Sequence, residues 1–304
     1  MRCVAGRAGP PGRLTLPAGA ATDLLARLGI DEIDRAAMLA ARPTPDGTPY
    51  QWWRLEHAHR QLATRTGTLD ERVTWPDRPT PYLYPWALVS VLPQLLDYHR
   101  EHGVPDEVSW ATCADLGRQL ALGRRVRARP GLVSPGWLTA HFRGLLYHVG
   151  RLQYLRIGDL STLWPDGPAE PALDLHIPAT GPLAPQACED SLARAEKLFA
   201  SCFPEIRPRY AYCHSWLLDP QLAEYLPAKS NIVAFQRRFH LLPTRPGVPD
   251  DDLTVLQFVF ERDRTPLQPG ELDALPQQTA LQRAIVTHLK YGRHWHFRPG
   301  WFAW

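Results

Sequence analysis

The hydrophobic pattern of this 304-residue chain changes its period once, near residue 150, and that change limits the possible folds more than any other feature. Before it, apolar residues return every three or four positions. Leu24, Leu25 and Leu28 lead to Gly29, a helix stop, and Ile33, Ala37 and Met38 resume the spacing. Trp52, Leu55, His59 and Leu62 form a second stripe, and Trp86, Val89, Leu92, Leu95, Leu96 and His99 a third that ends at Gly103. Trp110, Cys113, Leu116 and Leu120 read as a fourth, and Leu138, Phe142, Leu145 and Leu146 as a fifth after Ser134-Pro135. Strand signals are nearly absent, so residues 20–149 are expected to form a helical domain, preceded by a disordered tail over 1–19.

From residue 150 the period is two in several short runs. Leu152, Tyr154 and Arg156 alternate with Gln153, Leu155 and Ile157, and a Pro/Gly-rich turn follows. Leu173, Leu175 and Ile177 alternate with Asp174 and His176 until Pro178 stops the strand. Gly181-Pro182 turns the chain into a helical stretch from Leu183 through Cys188, Leu192, Ala195 and Phe199. Residues 209–218 read as a strand with Tyr210, Tyr212, His214 and Trp216 on one face. Ser230 caps a helix running through Phe235 and Phe239. Residues 254–260 read as another strand, 269–275 and 277–290 as helices, and 294–304 as an aromatic tail. The fold class is therefore α+β, a helical N-terminal domain followed by a mixed α/β domain over 150–304.

Charge narrows the function. Lys and Arg number 34 against 31 Asp and Glu, a net of +3. The one compact basic run, Arg124, Arg125, Arg127 and Arg129, falls short of a nucleic-acid footprint. Five scattered cysteines without a CxxC pair give neither a disulfide framework nor a zinc ribbon and suit a reducing, cytoplasmic setting. The most apolar stretch, 82–96, is broken by Pro85 and Pro93 and falls short of the roughly 20 residues of a membrane span. His294 and His296 have the His-x-His spacing of some metal sites but no acidic or cysteine partner nearby in sequence, so no metal is assigned.

The order strand, strand, helix, strand, helix, strand, with a strand ending in a turn and a helix directly after it, resembles the second half of the GNAT acetyltransferase fold. The combination of Leu175-His176-Ile177-Pro178, Gly181-Pro182-Leu183, Cys213-His214-Ser215-Trp216-Leu217-Leu218, Ser230-Asn231-Ile232 and Phe235-Gln236-Arg237-Arg238-Phe239 is more specific. It resembles a family of actinobacterial N-acyltransferases with a helical N-terminal and a GNAT-like C-terminal domain. Among these it is similar to the glycopeptide-antibiotic N-acyltransferases of teicoplanin-type pathways, over residues 20–300 and most strongly over 172–240.

The resemblance implies acyl-CoA as co-substrate and, as acceptor, an amino sugar on a glycopeptide. It implies that acyl-CoA lies where two neighbouring parallel strands splay apart, with its pyrophosphate at the start of the next helix. Carried onto this sequence, Ile177, Thr180, Gly181 and Leu183 would meet the co-substrate, and Ser230, Asn231 and Phe235 would border its pantetheine arm. Two departures stand out. The family's Gln/Arg-x-x-Gly-x-Gly/Ala loop is missing, and Arg238 occupies the place of the usual Tyr.

Amide formation needs a neutral amine, hence a base that works near neutral pH, and histidine suits that task. Strand parity puts Asp174 with His176, and Tyr212 with His214. We therefore expect His176 as general base, Asp174 or a backbone carbonyl fixing its tautomer, and His214 as positioning group or alternative base. A free strand amide near Ile177 or His214 would receive the oxyanion. Trp164, Trp216, Phe235 and Phe239 are available to an acyl chain, Trp164 or Trp137 to a polycyclic acceptor, and Tyr212 borders the substrate. Three rival readings remain: another amine acceptor, a non-catalytic acyl-CoA sensing module, and a hydrolase built on Cys213 or Ser215.

Overall fold

Residues 14–17, 21–68, 73, 75, 80–243 and 251–304 are described by a computed structural model. They form two compact units, one running to Val149 and including Ser201–Phe203, the other comprising Gly150–Ala200 and Pro204–Trp304. Most of the tail over 1–19 lies outside the described residues. Within residues 14–17, Leu14 is buried and the carbonyl of Leu16 accepts from the Arg42 guanidinium at 3.0 Å.

The first unit is built from α1 (Ala21–Arg27), α2 (Glu32–Ala40), α3 (Pro49–Ala63), α4 (Leu83–Ser90), α5 (Leu92–Glu101), α6 (Asp106–Cys113), α7 (Asp115–Arg127) and α8 (Pro135–Phe142). Asp31 caps α2 by accepting from the Asp34 amide, and proline occupies the first turn of α3, α5 and α8, where a missing N–H costs nothing. The apolar stripes converge on a core that includes Leu25, Leu28, Met38, Leu55, Trp86, Leu116, Leu120 and Phe142. Each such side chain, fully buried, contributes about 1.5–3 kcal/mol. One contact is backbone on backbone: the Gly117 amide donates to the Leu28 carbonyl at 3.2 Å, and a Cβ on Gly117 would sit 2.0 Å from the Gly29 carbonyl oxygen.

The fifth helical stripe is only partly a helix. It ends at Phe142, Gly144 turns the chain at φ 68°, and Leu146–Val149 is a strand, β1. All four residues of β1 are buried, and a short run buried on both faces carries no period that would separate strand from helix.

The second unit contains β2 (Leu152–Asp159), β3 (Pro171–His176), α9 (Pro185–Cys202), β4 (Tyr210–Ser215), α10 (Asn231–Gln236), β5 (His240–Leu241), α11 (Asp252–Phe260), α12 (Glu271–Ala274), α13 (Ala280–Lys290) and β6 (Arg298–Ala303). Its strands lie in the order β2-β3-β4-β6-β5. β2 and β3 are antiparallel, β3 and β4 parallel, and β6 is antiparallel to both β4 and β5. Helix α9 packs on the face that carries Tyr154, whose hydroxyl lies 2.9 Å from Ser191 Oγ and whose ring meets Phe199 edge-on.

Further expectations need correction. The helix capped by Ser230 ends at Gln236 rather than running through Phe239, whose amide closes a turn onto the Gln236 carbonyl just before β5. Residues 254–260 are helical, because Val255 and Leu256 pack with Ile285 of α13 in a shared core, and this burial outweighs the strand preference of a β-branched run. The aromatic tail contains a strand. The amides of Trp295, His296 and Phe297 donate to Asp252, Asp219 and Asp251 at 2.8, 3.0 and 2.7 Å, and β6 follows directly. Helix α9 begins at Pro185 rather than Leu183. Strand β4 ends at Ser215, so Trp216 leaves the parity that placed it beside His214 and is buried with Leu222, Leu226 and Trp295.

Candidate active site

The parallel pairing of β3 with β4 covers Ala172 with Tyr210, Leu173 with Ala211 and Asp174 with Tyr212, and goes no further. Both strands continue, β3 held by β2 as far as His176 and β4 held by β6 as far as Ser215. Beyond Asp174 and Tyr212 the two strands therefore part, leaving backbone edges that face one another without a ladder between them.

Parity puts Asp174, His176, Tyr212 and His214 on the same face at this opening. His176 Nε2 lies 3.2 Å from Asp174 Oδ2, their side chains 25% and 12% exposed. Asp174 Oδ1 is buried with no hydrogen-bond partner among the described residues. Burial, with Asp174 nearby, pushes the Tyr212 hydroxyl up to about 12, so it stays protonated. The His214 ring is open at the surface and stacks edge-on against Phe297 at 5.4 Å. Protein mass around it displaces enough water to lower its pKa, against the pull of Asp174 and Asp251, which keeps it neutral at neutral pH.

Cys213 points to the opposite face, where burial raises its thiol well above the usual range. Ser215 caps the following turn by accepting from the Leu217 amide at 3.1 Å. Neither is presented as a nucleophile, which removes the support for a hydrolase.

The turn after β3 is closed from within by the Thr180 amide, which donates to the Pro178 carbonyl at 2.8 Å, and is held from outside by one arginine. Arg151 donates through Nη1 to the Pro178 carbonyl at 2.9 Å, through Nη2 to Gly181 at 2.6 Å and through Nε to Pro182 at 2.9 Å. Within this turn Thr180 and Gly181 are exposed, Gly181 at φ 133°, Ile177 is half-buried and Leu183 is buried. Arg238 forms an ion pair with Glu189 in the first turns of α9. Ser230 Oγ accepts from the Val233 amide as the cap of α10, the ring of Phe235 packs at a tilt against Phe239 with centres 5.2 Å apart, and Asn231 stands half-buried at the first position of that helix.

On the face of Tyr212, Trp301 is its register partner in β6. The indoles of Trp164 and Trp301 stack at 6.4 Å, Tyr210 meets Trp301 edge-on at 5.4 Å, and His240 lies 5.0 Å from it. Together they make an aromatic floor. Trp137 is elsewhere, in the first unit, where its indole donates to Asp115 at 3.1 Å. His294 is hydrogen-bonded to Asp252 at 2.8 Å, and no group of three metal-ligating side chains occurs among the described residues.

Sequence reasoning missed Arg151 and Trp301. Arg151 follows Gly150 at the point where the period changes, and nothing local marks it as reaching across to residues 178–182. Trp301 carried a usable signal, since the run Trp301-Phe302 is rich in strand-favouring aromatics.

Two family models divide the chain between them. The N-acyltransferase N-terminal domain matches residues 20–144 and the GNAT-like C-terminal domain residues 146–302. No curated protein sequence matches. Among solved structures, an acyltransferase in complex with decanoyl-CoA and teicoplanin is 39% identical, with a TM-score of 0.87 over 97% of this chain and 91% of its own. An acyltransferase in complex with CoA and 10C-teicoplanin is 38% identical, with a TM-score of 0.86 and the same coverage. A third, a tryptophan-to-alanine mutant in complex with octanoyl-CoA, is 39% identical over 97% of this chain and 91% of its own, with a TM-score of 0.87. With a family model on each half and a 39% identical relative along 97% of its length, the chain belongs to the N-acyltransferases that join an N-acyltransferase N-terminal domain to a GNAT-like C-terminal domain.

Proposed function

We propose that this enzyme transfers a fatty acyl group from acyl-CoA to the glucosamine nitrogen of a glycopeptide-antibiotic pseudoaglycone, and that it works in the cytoplasm. The observation that carries this reading is the parting of β3 from β4 beyond Asp174 and Tyr212, with the His176–Asp174 pair on the face of that opening. The acyl-CoA complexes of the 38–39% identical relatives support the donor, and their teicoplanin complexes support the acceptor.

The acceptor amine is an ammonium in solution and has to lose a proton before it attacks the thioester carbonyl. His176 takes that proton, and Asp174, 3.2 Å from Nε2, orients the ring and stabilises the imidazolium. Asp174 thereby acts as a positioning residue. The carbonyl oxygen gains negative charge as the C–N bond forms, and an unladdered strand amide near Ile177 or His214 receives it. Collapse breaks the C–S bond and expels the CoA thiolate, which takes a proton from water or from the His176 imidazolium, while the new amide nitrogen sheds its remaining extra proton to solvent. His214, neutral and surface-facing, positions the acceptor or serves as second base. The diphosphate of CoA meets the turn at Thr180, Gly181 and Leu183, and the pantetheine arm runs past Asn231. Ser230 and Phe235 shape that path through the cap and the tilted ring contact they already make. Trp164 and Tyr212, with Trp301, offer the aromatic surface that a cross-linked peptide acceptor or an acyl chain would cover.

The test is CoA release from decanoyl-CoA with and without a glucosaminyl pseudoaglycone, for wild type and His176→Ala. Acceptor-dependent release that collapses in the variant supports the proposal. Equal release with simple amines would move the acceptor elsewhere, and binding of acyl-CoA without turnover would make this a sensing module.

A further inference from the structure

The family's glycine-rich phosphate loop is missing here, yet the turn between β3 and α9 is held in a defined shape. We propose that Arg151 is the positioning residue that supplies this shape, presetting the backbone amides of Ala179 and Leu183 for the diphosphate of the acyl-CoA. The proposal rests on acyl-CoA being the donor.

All three donor-bearing nitrogens of its guanidinium are spent on backbone carbonyls of one turn, those of Pro178, Gly181 and Pro182. Among the described residues its hydrogen-bond partners are all backbone carbonyls and none is a carboxylate. In a trans peptide the C=O and the N–H of the next residue point in opposite directions. Turning the Pro178 carbonyl toward Arg151 therefore turns the Ala179 amide away from it, and the Pro182 carbonyl does the same for the Leu183 amide. Peptide bonds here are trans. Neither amide has an acceptor among the described residues, although Leu183 is only 5% exposed. The Gly181-Pro182 peptide contributes no N–H, so fixing its carbonyl leaves the two flanking donors undisturbed. Gly181 itself sits at φ 133°, where a side chain would be strained, which lets its carbonyl reach Nη2. One arginine thus does from outside what a run of glycines does from within: it holds the peptide planes so that amides face an anion.

The test compares wild type with Arg151→Met, which keeps the side-chain length and removes every donor, and with Arg151→Lys. CoA affinity is measured by calorimetry, and kcat/KM for decanoyl-CoA and for decanoyl-pantetheine, which lacks the diphosphate. We expect the methionine variant to bind CoA at least about tenfold more weakly, the loss of about one charge-assisted hydrogen bond. Its kcat/KM should fall by that factor more for decanoyl-CoA than for decanoyl-pantetheine, through KM rather than kcat, with lysine recovering part. Equal losses on both donors would overturn the proposal, because they would mark a general structural role, and so would unchanged CoA affinity. Failure of the wild-type protein to bind CoA would overturn the acyl-CoA reading underneath.

Discussion

Asp115 in the first unit and Asp174 in the second are both buried carboxylates beside a histidine, at 3.1 and 3.2 Å, but their surroundings differ. Asp115 receives His141 Nε2, the Arg118 Nε at 2.8 Å and the Trp137 indole at 3.1 Å. Burial alone would raise its pKa, but the hydrogen bond and charge of His141, with Arg118, reverse this and hold the carboxyl well below the usual carboxylate range. Asp174 has one oxygen near His176 and the other unpartnered among the described residues, at the mouth of a split sheet. A saturated buried carboxylate ties its neighbours together. One left partly unsatisfied costs stability and is retained where a ligand or a reaction makes use of it.

The sharpest way to break this comparison is to remove each partner in turn. His176→Ala should lower kcat by about 10²–10⁴-fold, the usual worth of a positioned base, while the thermal midpoint barely moves. Asp115→Ala should do the reverse, costing about 3–5 kcal/mol in denaturant unfolding because it strands His141 and Arg118, with little change in activity per folded molecule. If His176→Ala unfolded the protein, or Asp115→Ala left its stability intact, the division of roles would be wrong.

Backbone contact in the first unit gives the next effect. Gly117→Ala would press a methyl group to 2.0 Å from the Gly29 carbonyl oxygen and should cost about 1–3 kcal/mol, read from the urea midpoint.

Acid should separate the groups of the first unit. His99 is buried against Ser109, and burial first, then the charge of His102, lowers its pKa to about 4. The unfolded chain therefore binds more protons between pH 6.5 and 4. The contribution of neutral His99 is complete above 6.5 and is lost as pH falls toward 4. Asp115 has a depressed pKa, so its contribution is present above about 3.8 and is lost only as pH falls further. Urea midpoints at pH 7.5 and 5 should differ in wild type and differ less in His99→Gln, and equal pH dependence in the two proteins would remove His99 from the account.

The smallest effect is on the aromatic floor. Trp301→Ala should raise KM for a polycyclic acceptor by about fivefold, in line with a stacking contact of about 1 kcal/mol, and leave KM for a simple amine unchanged.

Legibility followed the range of the interactions. The helical period up to residue 142 and the alternation in β2, β3 and the start of β4 were readable because each reports a neighbour's burial within the same element. Pairing Asp174 with His176 on one face needed only parity. Residues 254–260 were misread because the packing that makes them helical comes from α13, more than twenty residues later. Trp216 was misplaced by one residue of strand length, since nothing in Ser215-Trp216 announces that Ser215 will turn its hydroxyl back to cap.

By itself, the sequence determined that a helical half precedes a mixed α/β half, which residue types were available for acyl transfer, and that His176 and Asp174 share a face. These follow from periods of 3.6 and 2, which are properties of the local backbone. Tertiary structure alone decided that β3 and β4 stop pairing beyond Asp174 and Tyr212, that three aspartates hold the approach to β6, and that Arg151 grips a turn about thirty residues away. Each of these joins groups distant in the chain, and only folding brings such groups within hydrogen-bonding distance.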